Sequence, residues 1–188
     1  MRRRAAGAAL AAFSLLATGA GAETSDREKP TQIEANRMSA DDVRRLNIFE
    51  GNVVLTRGTI SVRAERIVVR QDADGYQFAT ATGTPVRLRQ RQDPKPPQTE
   101  GVWMDGEALR IEIDDRNGKI EMFEQARVRR GGDEVAGSYI FVDQRSDFFT
   151  VKSDGNADQP SGEGRVRAVL QPKPQAVEPR PAPTGGAK

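Results

Sequence analysis

Between Phe49 and Val69 the chain reads FEGNVVLTRGTISVRAERIVV, a run in which apolar β-branched residues alternate with polar ones. Successive residues of a strand face opposite sides, so this alternation fixes two chemically different faces. In TISVRA, Ile60, Val62 and Ala64 oppose Ser61 and Arg63. In PVRLRQR, Val86 and Leu88 oppose Arg87 and Arg89, and in ALRIEID, Leu109, Ile111 and Ile113 oppose Arg110 and Glu112. Strands that are apolar on one side and charged on the other bury the apolar side against a second layer. The pattern therefore predicts an all-β protein of two stacked antiparallel sheets, with one shared apolar interior and two wet exteriors. Helical periodicity is nearly absent.

From Thr31 to Lys152 strand signals recur about every 8–12 residues, the spacing of all-β folds. QDADG, DDRNG, RGGDE and DQRSD punctuate them. Asn117-Gly118 is predicted as a two-residue hairpin turn, and the proline-bearing loop Gln92–Glu100 is expected to interrupt the sheet. The predicted inward row is Ile33, Val53, Leu55, Ile60, Val62, Ile67, Val69, Phe78, Val86, Leu88, Leu109, Ile111, Ile113, Ile120, Met122, Val128 and Ile140. Arg57 and Arg63 are expected to face water. Read from the residues alone, such a row is an ordinary sandwich core.

The flanks differ from this body. Residues 1–22 combine a basic start (MRRR), an Ala/Leu-rich apolar stretch and a small-residue Ala-Gly-Ala end, the three parts of a secretory signal cleaved after Ala22. Residues 23–30 form a polar leader. Residues 31–152 make one domain, and 153–188, rich in Pro, Gly and charge, are expected to be disordered. The first 22 residues hold three arginines and no acid, so the remainder carries 26 basic against 27 acidic residues. A near-neutral exported chain gives no reason to expect a nucleic-acid partner.

The 188 residues include no Cys and no His. Disulfides, imidazole-based triads and imidazole–metal sites are thereby excluded. No phosphate-binding Gly loop and no EF-hand spacing occurs, and no cofactor is expected. The paired acids Asp41-Asp42 and Asp114-Asp115 fall in turns, where Asp caps the backbone with its own side chain rather than flanking a scissile bond. Arg87, Arg89 and Arg91 have the chemistry to bind phosphate in bidentate fashion, yet they oppose the apolar row and are expected on a solvated outer face. Trp103 suits a rim or a core equally.

Phe49–Val69 also has an echo, Phe123–Val142, with one residue deleted: Phe-Glu recurs, Gly58 aligns with Gly132, and an apolar triplet closes both. In the second copy Gln125-Ala126 stands where the first has Gly51-Asn52. Together with PTQIEANRM, ATGTPVRLRQ and EGVWMDGEALRIEID, these stretches resemble, in order and over Pro30 to Lys152, the OstA-like (LptA–LptC) family of lipopolysaccharide-transport proteins. The Phe-x-Gly-Asn-Val core followed by ISVRAERIVV is the most specific element.

The resemblance implies an open, slightly twisted β-jelly roll whose V-shaped interior holds acyl chains, making the inward row a lipid-binding groove as well as a core. It implies a non-enzymatic periplasmic carrier of lipopolysaccharide, acting through its lipid A acyl chains. The implied partners are an LptC-like inner-membrane protein, an LptD-like outer-membrane protein and further copies joined through sheet edges, with TQIEA (Thr31 to Ala35) expected at one end and FFTVK (Phe148 to Lys152) at the other. Two alternatives stay open: a membrane-anchored relative that hands lipid on, and a purely structural β-solenoid module.

Overall fold

The structure, a computed structural model, describes residues 26, 29–92, 94, 100–146, 148–153 and 165–172. Residues 1–22, expected as a signal peptide, and most of the C-terminal tail lie outside these residues. Ten strands are present among the described residues: β1 (Gln32–Glu34), β2 (Arg37–Asp41), β3 (Leu46–Arg57), β4 (Ile60–Gln71), β5 (Gln77–Arg91), β6 (Trp103–Asp114), β7 (Lys119–Arg130), β8 (Asp133–Asp143), β9 (Phe148–Lys152) and β10 (Arg167–Val169). All pair antiparallel in one open sheet of order β1-β3-β4-β5-β6-β7-β8-β10, with β2 also on β3 and β9 also on β8.

The two layers foreseen from the alternation are the two halves of this one sheet. Every long strand carries a register shift at its middle: Glu50/Val53, Arg63/Arg66, Thr82/Val86, Glu107/Arg110 and Phe123/Ala126. An extra residue in a ladder bends the strand and sharpens its twist. Stacked one above another, the five irregularities crease the sheet along a line. One wall holds β2, β9 and the segments such as Leu46–Glu50 and Lys119–Phe123; the other holds β1, β10 and segments such as Val53–Arg57 and Ala126–Arg130.

The crease has a local chemical basis. In β3 it falls on Gly51 (φ 81°) and Asn52 (φ 49°), residue types that enter the left-handed region readily. Gly51 also lies so close to Asn36 that a Cβ would stand 2.7 Å from its Nδ2. In β7 the same place is taken by Glu124 (φ 64°) and Gln125 (φ 54°), so the bend survives without the Gly-Asn pair. In β5 it includes Gly83 and a cis Thr84-Pro85 peptide, with Thr84 Oγ1 donating to Glu65 Oε1 at 2.5 Å across the crease.

These positions correct the echo. Gly51-Asn52 corresponds to Glu124-Gln125, Gly58 (φ 57°) to Gly131 (φ 59°), and Ile67 to Ile140, a constant offset with no deletion. The repeated Phe-Glu pair is thus out of phase. Phe49 points inward and is buried, whereas Phe123 lies on the outer face under the Arg110 guanidinium, 3.8 Å from the ring centre.

Three further expectations change. The Gln92–Glu100 loop does not interrupt the sheet, because β5 and β6 pair out to Arg91↔Trp103 and Gln92 N donates to Val102 O at 2.8 Å. The β6–β7 turn is not a two-residue one: only Gly118 is left-handed (φ 66°), and Asp114 accepts from Asn117 N at 3.0 Å. Within the segment expected to be disordered, Arg167–Val169 pairs with Ala136–Glu134 of β8.

Candidate functional site

The interior between the walls is lined by rows that run across the strands, one residue from each. On one wall an inner row is Met38, Phe49, Ile67, Ala81, Ile111, Met122, Ile140 and Val151; on the other one is Ile33, Leu55, Val62, Leu88, Gly106, Val128, Val135 and Ala168. The walls touch. A Cβ on Gly106 would stand 2.6 Å from Met122 Cε, so the methionine of one wall occupies the space the glycine of the other leaves.

Of the predicted row, Val53, Leu55, Ile60, Val62, Ile67, Val69, Val86, Leu88, Ile111, Ile120, Met122, Val128 and Ile140 are buried in one cluster, and Ile33 and Ile113 pack against it. Two residues do not join them. Phe78 sits in the row of Leu46, Arg70 and Asp114 on the outer face, beneath Arg70 at 4.8 Å. Ala79 and Ala81 take the inward positions of this segment, in register with Val69 and Ile113 and with Ile67 and Ile111. Leu109 lies in the β6 irregularity and is only partly buried; the extra residue breaks the alternation, so Ala108 is inward before it and Ile111 after it. The sequence signal missed in both cases was alanine, which carries little hydrophobic weight but marks the inner face.

The rows run out to solvent at both ends. Met38, at the β2 edge, is 58% exposed, and Phe149, at the β9 edge, is 52% exposed although it shares the inner row of Ile113 and Val142. Apolar surface thus extends from one sheet edge to the other.

Along the side opposite the crease the inner rows end in polar residues. Arg57 follows Val53 and Leu55 inward, and its Nη2 donates to Asp115 Oδ1 at 2.9 Å; the two side chains are 12% and 17% exposed. Arg57 is therefore not the water-facing residue expected. Beside it Gln144 Nε2 donates to Gln90 Oε1 at 2.8 Å, and Thr31 Oγ1 donates to Gln77 Oε1 at 3.3 Å. Each pair joins one wall to the other. Directly beneath lies a cavity of about 30 Å³ lined by Leu55, Ile60, Leu88, Ile113 and Ile120 as well as by the clasp residues.

The exteriors are chemically distinct. One carries ladders of opposite charge, with Arg87–Glu107 at 3.1 Å, Arg89–Asp105 at 3.6 Å and Arg127–Glu134 at 3.4 Å. Arg87 and Arg89 thus sit on the charged outer face, each beside a carboxylate, and Trp103 is an exposed aromatic under the Arg89 guanidinium. The other exterior is more aromatic and holds a shallow depression of about 310 Å³ bordered by Leu46, Phe78, Glu112 and Lys119. There Tyr139 donates to Glu121 Oε1 at 2.5 Å. Burial, that hydrogen bond and the charges of Glu121 and Glu112 push its phenol up to about 12. Asp41 and Asp114 cap turns, accepting from Arg44 N at 2.9 Å and Asn117 N at 3.0 Å. Among the described residues no cluster of carboxylates has the arrangement of a metal site.

Known proteins resemble this chain in sequence and fold. Residues 32–148 match the family described as LptA/(LptD N-terminal domain) LPS transport protein. The lipopolysaccharide export system protein LptA of Haemophilus influenzae is 28% identical over 166 residues, covering 87% of this chain and 89% of its own. LptA of Escherichia coli is 27% identical over 168 residues, covering 86% and 82%. LptH of Pseudomonas aeruginosa, also an export system protein, is 25% identical over 153 residues, covering 81% and 85%. The crystal structure of LptH, described as the LptA-homologous periplasmic component of a lipopolysaccharide transport device, has the same fold. It superposes with a TM-score of 0.68 at 24% identity, over 79% of this chain and 99% of that one. A creased antiparallel sheet closed around edge-to-edge apolar rows, matched over most of its length by this family's pattern, leaves one assignment: the chain belongs to the LptA/LptD N-terminal-domain family of lipopolysaccharide transport proteins.

Proposed function

We propose that this protein is a non-enzymatic periplasmic carrier of lipopolysaccharide that takes lipid A acyl chains between its two walls. The observation that carries the reading is the apolar inner row that runs without a break from Met38 at one sheet edge to Val151 at the other, with Phe149 of the adjoining row surfacing beside it. An isolated globular core has no reason to continue to both ends. A segment of a longer trough does.

The interior is closed by its own side chains, with Ile67, Ile111, Met122 and Ile140 fully buried. The space of about 30 Å³ at the mouth is that of about one water molecule. Acyl chains therefore enter only as the walls part. The exchange is nearly balanced, because apolar side-chain surface loses contact with the opposite wall and gains contact with methylenes, at about 25 cal/mol per Å² in both directions. The inward row from Ile33 to Ile140, without Phe78 and Leu109, is both core and lipid-contact surface in this reading.

The ends support a bridge between an inner-membrane LptC-like protein and an outer-membrane LptD-like protein, assembled by edge pairing between copies. β1 and β2 flank β3 at one end, β9 and β10 flank β8 at the other, and copies stacked in one orientation meet with antiparallel polarity in both walls. Export by cleavage after Ala22 completes the reading, with Glu23 as the first residue of the mature chain.

The test places a photoreactive residue at Ile60, on the inner face near the mouth, and at Arg89, on the outer face, in cells making lipopolysaccharide. Crosslinks to lipopolysaccharide are expected at Ile60 and not at Arg89. Equal labelling at both positions, in chains that fold, would sink the assignment.

A further inference from the structure

We infer that the side opposite the crease is the portal through which acyl chains reach the interior, and that Arg57 and Asp115 are its latch. The inference rests on the carrier reading and adds to it a route and two residues that control it.

Three observations converge. First, the two walls are continuous through the crease, where every long strand crosses from one to the other. Nothing can enter there without cutting backbone ladders. On the opposite side no strand crosses, and the contacts near the mouth include the side-chain bonds Arg57–Asp115, Gln90–Gln144 and Thr31–Gln77. Second, the clasp residues stand at the ends of inner rows, immediately above Leu55, Ile60, Leu88 and Ile113 and the cavity of about 30 Å³. Parting the clasp exposes the apolar rows directly. Third, the bonds are polar and local. Water replaces a broken side-chain hydrogen bond at a lip far more readily than anything replaces a lost backbone ladder, so the mouth parts more easily than the crease.

The ion pair dominates the closure because it is charge-assisted and largely shielded, whereas the two amide and hydroxyl contacts are neutral. The open ends at Met38 and Phe149 are the competing route. In a stack of copies those ends lead only into neighbouring interiors, whereas the side opposite the crease faces the surroundings in every copy.

The chain's lack of cysteine makes the test clean. Mature chain carrying the photoreactive residue at Ile60 is mixed with lipid A, and the rate of crosslink formation is read. Arg57→Met/Asp115→Asn removes both charges and strands neither; it is expected to speed loading about tenfold. Gln90→Cys/Gln144→Cys, bridged by a short bismaleimide, is expected to load at least about tenfold more slowly than the same chain unbridged. Circular dichroism and urea midpoints establish that both variants fold. Failure of the cysteines to bridge would show the lips apart and overturn the inference. So would equal loading of bridged and unbridged chain, which assigns entry to the open ends. If the parent chain itself never crosslinks, the carrier reading falls, and the portal with it.

Discussion

The contact between Gly106 and Met122 decides whether the two walls pack against each other. Met122 is fully buried, and a Cβ at Gly106 would stand 2.6 Å from its Cε and 3.1 Å from its Sδ. Gly106→Val drives side-chain atoms into that methionine, an overpacking that costs about 1–3 kcal/mol. Met122→Ala deletes the same number of heavy atoms from the other wall and leaves a cavity, at a cost of about 2–4 kcal/mol. Together the two changes exchange volume across the interior, and a volume-conserving swap costs less than about 1.5 kcal/mol. The double variant should therefore be more stable than Met122→Ala alone, with a coupling energy of at least about 1.5 kcal/mol in a double-mutant cycle. Urea unfolding of the four proteins, followed by far-ultraviolet circular dichroism at constant m-value, measures it. Additive costs would mean that residues 106 and 122 do not meet. The interior would then not be a closed trough between two walls.

Two further outcomes follow from local chemistry. Glu124 and Gln125 hold left-handed backbone where β3 uses Gly51 and Asn52; replacing them by Gly and Asn should stabilise the fold by about 1 kcal/mol, and a higher urea midpoint with unchanged lipid contact is expected, a drop being the refuting result. In a Tyr76→Phe background, absorbance should show the Tyr139 phenol ionising near 12 rather than 10.0, with Glu121→Gln moving it part of the way down because burial remains. The sign is that of a group whose proton is held more tightly in the fold. The stability it contributes is complete below the unfolded value near 10.0 and is lost as pH rises through about 12. Titration of the folded protein at 10.0 would refute the assignment of Tyr139 to a shielded site.

Most of the interior is legible in the alternation itself, because a strand's period of two ties each residue's face to its neighbour's. Val53, Leu55, Ile60 and Val62, or Ile111 and Ile113, need only a regular strand to be placed on one side. The same rule extended one step further places Arg57 inward after Leu55, Asp115 after Ile113 and Gln90 after Leu88, yet charge and polarity argued for water and the clasp stayed hidden. Phe78 and Leu109 show the opposite error, large apolar residues assigned inward by volume when the small Ala79, Ala81 and Ala108 hold the inner positions.

What composition and pattern determine alone is the chemistry: no histidine or cysteine for catalysis, and strands with one apolar and one charged face. What only the tertiary structure decided is where those faces go. An extra residue in a ladder reverses the parity of all that follows it, and its position depends on the neighbouring strand as much as on the strand itself. Stacked across five strand pairs, those shifts turn one sheet into two walls and bring Arg57 to Asp115 over 58 residues of chain. No local rule carries that distance, because the contact exists only once every strand between them is in register.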